Sequence, residues 1–166
     1  MKRTQKLKWL CASLLLLSLS VTSYTQSLKD FFGSSETATV YLGIDFTKAR
    51  LINSPTANPA DIKGRLYRSI NDVVVAEPKK FDLAGVFNKA GVSNDLTAVH
   101  AGNEKINAEE IVSTKFEDFN RLKESDMASI LKALNISNLK GVGILFVFEA
   151  MKSIEKGDDA AAVWTV

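Results

Sequence analysis

The chain has 166 residues, 46% of them apolar and 24% charged, with a formal net charge of +2, which excludes a wholly disordered polymer and fits one globular domain. One cysteine, Cys11, excludes a scaffold built on intrachain disulfides. The small basic surplus comes from the first eight residues, so it gives no support to a nucleic-acid surface, which needs clustered Lys and Arg.

Those first residues have the layout of a secretory leader. Lys2, Arg3, Lys6 and Lys8 form a basic head, Trp9 to Val21 an apolar middle, and Val21-Thr22-Ser23 a small-residue cleavage region. The apolar stretch falls short of the roughly 20 residues a spanning helix needs, so a signal peptide over residues 1–23 is expected, with cleavage somewhere within 20–27. Its removal takes away four basic residues and leaves a net charge of −2. Cys11 leaves with it, and the preceding Lys8-Trp9-Leu10 does not suit a lipid-anchor site. The expected location is therefore the periplasm, the cell surface or the medium, without a membrane span.

Residues 24–38 read as a mobile polar arm whose large apolar residues near its middle are Phe31 and Phe32. Val40, Leu42, Ile44 and Phe46 then alternate with Tyr41, Gly43 and Asp45, the period of a strand with one buried and one partly wet face, continuing through Leu51 and Ile52 after a bend near Lys48. Asn58 and Pro59 open a helix. Its apolar stripe should be Ile62, Leu66, Ile70 and Val73 or Val74, and Pro78 should stop it. A short helix is expected from Asp82 to Ala90, and a brief strand at Leu96 to His100.

Asn107 and Glu110 have capping-box spacing, yet Ile111-Val112-Ser113-Thr114 favours a strand, so residues 104–120 remain open between the two. Met127, Ile130, Leu131 and Leu134 mark another helix, ended by Asn135. Gly141 to Met151 is a nearly unbroken apolar run and the predicted central strand. A loop from Lys152 to Asp159 leads into a last strand, Ala160 to Val166, which would close an antiparallel hairpin. The chain stops within that strand: either it is tied into the sheet, or the folding unit is truncated at its C-terminus.

Reactive groups are sparse. His100 is the single histidine, and it lacks a second histidine for metal binding or a serine elbow for nucleophilic catalysis. Gly141-x-Gly143 precedes a strand, whereas a dinucleotide loop follows one. Glu109-Glu110 and Asp158-Asp159 are adjacent acids with no evident cleft. Glu149 stands inside the apolar run, where a carboxylate must be paired, hydrogen-bonded or exposed. It is the weak catalytic candidate. Asn135-Ile136-Ser137 fits the glycosylation triplet.

Val40 to Phe46, the Glu77-Pro78-Lys79-Lys80 helix stop, and Gly141 to Glu149 followed by a turn and Trp164-Thr165-Val166 together resemble small exported bacterial proteins of uncharacterised function. Members of that group continue into a further strand and a C-terminal helix, and this chain departs from them at Val166. The element order is also similar to the small α/β domain of periplasmic assembly proteins, such as the N-terminal domain of TolB and the curli secretion channel.

The expected architecture is thus a single α+β or α/β domain over residues 39–166: a mixed, largely antiparallel sheet of about four strands with helices mainly on one face. The expected function is that of an exported envelope or surface protein of non-catalytic type. It would bind a protein partner or self-associate, with Val163 and Trp164 pairing at an edge strand. No cofactor, metal or nucleic acid is expected. The alternative is a carboxylate-dependent hydrolase of an envelope glycan acting through Glu149.

Overall fold

Strand β5, Val142–Lys152, runs through the middle of the sheet and meets neighbours along both edges. The computed structural model describes residues 28–136, 138–152 and 160–166. It divides into two units, residues 1–30 and 31–166. The remaining strands are β1 (Thr39–Asp45), β2 (Arg50–Ile52), β3 (Ser93–Asn94), β4 (Val112–Ser113) and β6 (Ala160–Thr165). The helices are α1 (Leu28–Gly33), α2 (Pro59–Asp61 running through Ile62–Leu66 into Tyr67–Ala76), α3 (Leu83–Val86), α4 (Thr97–Asn103) and α5 (Glu124–Leu134).

The sheet corrects the expected one. β1 runs parallel to β3 and β5, and β2 runs parallel to β4 and β5; only β6 is antiparallel to its neighbour β5. β1 and β2 lie end to end along one edge of β5, with β6 along the other. The short gap between β1 and β2 therefore bends a strand without reversing it. Every other neighbour except β6 is reached through a helix-bearing crossover, which returns the chain in the same direction.

Helices also cover both faces instead of mainly one. Leu145 and Val147 of β5 pack with Leu42, with Val99 of α4, and with Met127, Ile130 and Leu134 of α5. Phe148 points the other way and joins Phe46 and Leu51 in a second cluster with Ile62 and Tyr67 of α2. Two covered faces explain why β1 has no wet side: Tyr41 and Asp45 are as buried as Leu42 and Phe46.

Helix α2 starts as its sequence dictates, with the Asn58 side chain accepting from the Ala60 and Asp61 amides at 3.1 and 3.2 Å. Its next turn is π-wound, the Tyr67 amide bonding to the Ile62 carbonyl. That extra residue rotates the remaining turns of the helix. The buried stripe becomes Ile62, Tyr67, Asn71 and Val74, while Ile70 and Val73 face outward.

The rotation gives Asn71 a structural task. β3 covers the outer edge of β1 only at Val40 and Tyr41, and β4 covers β2 at Leu51 and Ile52. Between them, Asn71 accepts from the Ile44 amide at 2.6 Å and donates to its carbonyl at 3.0 Å. Asn103 of α4 donates to the same carbonyl at 3.0 Å and accepts from the Phe46 amide at 2.8 Å. Two side-chain amides thus stand in for the missing piece of strand.

The two ambiguous segments resolve simply. Leu96 to His100 is not a strand, since α4 starts at Thr97. Residues 104–120 hold both a 3-10 turn, Ala108–Glu110 capped by Asn107, and strand β4. Within the arm, Leu28–Gly33 is helical and Phe31 is buried. The Lys89 ammonium lies 3.8 Å from the centre of the Phe31 ring and donates to the Phe31 and Ser34 carbonyls.

Candidate functional site

A cleft of about 490 Å³ opens where β1 ends. Asp45, the last residue of the strand, lies on its floor with 1% of its surface exposed. The chain turns there because the Asp45 Oδ1 accepts from both the amide and the hydroxyl of Thr47, at 2.8 and 2.5 Å. Among the described residues no hydrogen bond reaches the other oxygen, Oδ2. Burial pushes the Asp45 carboxyl above the usual range, opposed by the Thr47 bonds and the nearby charge of Lys48.

The walls come from two helices and a turn. Ile130, Ala133 and Leu134 of α5 form an apolar side with Ile106, while Lys48 and Lys105 stand on the exposed rim. Glu110, also on the rim, is committed to Arg50 at 3.0 Å. Among the described residues neither lysine has a carboxylate within 4.0 Å.

Sequence patterning assigns Asp45 only a place on a strand face and does not single out Lys48 or Lys105. A signal is present in Asp45-Phe46-Thr47, an acid and a hydroxyl two residues apart closing a strand. What it lacks is Lys105 and α5, which only tertiary packing brings there.

Glu149 sits at a bulge, where the register between β5 and β6 shifts after Phe148. Its carboxylate is buried and met by three N–H donors: the amides of Asn120 at 3.2 Å and Leu122 at 2.8 Å on Oε1, and the Trp164 indole at 3.0 Å on Oε2. That arrangement fastens the loop before α5 and strand β6 to the central strand. Glu149 is not among the residues lining the cleft at β1.

Trp164 and Val163 face opposite ways. Trp164 packs against the α4–α5 side of the core, whereas Val163 is 49% exposed. Among the described residues β6 pairs with β5 alone, through bonds that include the reciprocal 2.9 Å pair of Leu145 and Val166.

His100 is half-buried, its Nε2 3.6 Å from Asp72. Glu109 and Glu110 are exposed on their 3-10 turn. Cys11, Ser137, Asp158 and Asp159, together with the leader, lie outside the described residues. Gly141 has φ +101°, and a Cβ there would lie 2.2 Å from the Ala38 carbonyl oxygen, so it serves strand entry. Burial holds the Tyr41 and Tyr67 hydroxyls up at about 12.

Among the described residues, no group of three or more His, Cys, Asp or Glu is placed to hold a metal ion, and no helix is long and apolar enough to cross a membrane. Comparison with known proteins finds no matching family model, no matching curated sequence and no matching solved structure.

Proposed function

We propose that this chain is an exported bacterial envelope or surface protein of non-catalytic type that associates with a second copy of itself through β6. The observation that carries the reading is the outer edge of that strand. Ala160–Thr165 has neither a charge nor a proline to guard it, and Ala161, Val163 and Thr165 point their side chains to solvent. Unguarded edges of this kind add strands readily. Two copies of β6 set antiparallel about a twofold axis would close the pairing at a dimer.

Sedimentation velocity over a concentration series tests it. Dimer should grow with concentration, and Val163→Lys should weaken association by at least about tenfold. A protein that stays monomeric throughout overturns the reading, as does a dimer that Val163→Lys leaves intact. A dissimilar protein partner held through the same edge is the other outcome to watch for, revealed by a stoichiometric second chain that Val163→Lys releases. Export is tested separately by sequencing the N-terminus of the protein recovered from the envelope or medium: a start within residues 21–28 supports it, and an intact leader overturns it.

A further inference from the structure

We propose that the cleft at the end of β1 binds a small zwitterion, an aliphatic amino acid or a molecule of dipeptide size, with Asp45 receiving its ammonium group and Lys48 and Lys105 its carboxylate. In sheets built from parallel strands, the carboxyl ends of the strands are where ligands are received, because chain leaving the sheet there diverges and opens a crevice. Here the crevice is already formed. Its volume falls within the range of small-molecule sites, and it joins an apolar wall to a few convergent polar groups.

The choice of ligand rests on the charges. Asp45 is buried with one carboxylate oxygen held by Thr47, and among the described residues no hydrogen bond reaches the other, which lies at the cleft. An acceptor in that position favours a strong donor arriving from the cleft. A simple anion would meet the two lysines but would set its charge against Asp45. A simple cation would suit Asp45 but would face both ammonium groups. A molecule carrying both charges satisfies the floor and the rim together, and Ile106, Ile130, Ala133 and Leu134 give its aliphatic part a place out of water. This proposal does not depend on β6, which does not line the cleft.

Three probes decide it: L-leucine, isopentylamine, which keeps only the ammonium, and 4-methylpentanoate, which keeps only the carboxylate. Each is titrated into the purified protein, with amide chemical shifts as the readout. Leucine should give saturable shifts centred on Asp45 to Lys48 and Lys105 at concentrations below about 10 mM, and each half-ligand should bind at least about tenfold more weakly.

Asp45→Asn should lower leucine affinity while raising that of 4-methylpentanoate, which no longer meets the Asp45 charge. Lys105→Ala, an exposed change that leaves the core alone, should lower leucine affinity while isopentylamine binds no more weakly than before, since one repelling ammonium is gone. Absence of saturable shifts with leucine overturns the proposal. So does equal binding of leucine and either half-ligand, or leucine binding indifferent to both substitutions.

Discussion

Asn71 makes two bonds to one residue, the amide and carbonyl of Ile44, and no apolar side chain of its size could replace it. Leaving a buried backbone donor without a partner costs about 1–3 kcal/mol, so Asn71→Leu should lower unfolding stability by about 2–3 kcal/mol in urea titrations and speed hydrogen exchange at the Ile44 amide. The carbonyl suffers less, because Asn103 still donates to it. Glu149 is a second such point. In Glu149→Gln one oxygen can still accept from the Asn120 and Leu122 amides, but an NH₂ would face the Trp164 indole donor. The expected loss is about 1–3 kcal/mol in the same titration.

Asp45 differs from both, since its raised pKa means that burial works against its charge. A carboxyl whose folded pKa lies above its unfolded value, about 3.9, binds a proton in the folded state first, so folding stability falls as pH rises through that interval. Above the raised value the full penalty applies. Asn at this position can keep an oxygen for both Thr47 bonds without the charge. Asp45→Asn should therefore match or exceed the parent protein in stability at pH 7, and the difference should shrink as the pH is lowered toward the unfolded value. Equal stability curves across pH for the two proteins would contradict it.

At the level of elements, α2 shows how one extra residue redirects a helix. The regular spacing Ile62, Leu66, Ile70, Val73 describes a good amphipathic stripe, yet the π turn at Ile62–Leu66 sends Tyr67 and Asn71 inward instead. Tyr67 then stacks on Phe46 with ring centres 4.1 Å apart. Deleting the exposed Gly64 would let Ile62 and Tyr67 become i, i+4 neighbours in an ordinary α-helix, preserving both the stripe and the Asn71 contact. That deletion should change stability by no more than about 1 kcal/mol. Deleting Ser69 would turn Asn71 and Val74 by about 100° away from β1, and the chain should lose its cooperative unfolding transition.

Gly43 belongs to the same set of contacts. Its φ is +107°, and a Cβ there would come 2.8 Å from the Asn71 oxygen. Gly43→Ala should thus combine backbone strain with displacement of Asn71, and measured destabilisation should reach about 2 kcal/mol or more.

Over the whole molecule, the sequence already showed that β5 would be central and that Asn58, Pro78 and Asn135 mark helix boundaries. These features rest on local chemistry: unbroken apolar runs need cover on both sides, and caps and breakers act within a turn. It also paired β5 with β6 correctly, because a hairpin is a local event. Strand direction elsewhere was misjudged. The helices between the strands were themselves the signal, since a helical crossover brings the chain back beside the sheet in the same sense, and the weight given to the closing hairpin obscured it.

Tertiary structure alone decided three further matters. Covering both faces of the sheet buried Asp45 and Tyr41, which alternation had assigned to a wetter side. Packing chose the π-shifted register of α2, since the edge of β1 between β3 and β4 needed amide partners and Asn71 could reach it. And the cleft exists because the end of β1 at Asp45, the turn near Lys105 and the Ser129 to Leu134 part of α5 converge from three separate segments of the chain. The physical reason is the same in each case: the free energy of these placements comes from satisfying buried polar groups and covering apolar surface between distant parts of the chain, and neither quantity is defined until those parts have met.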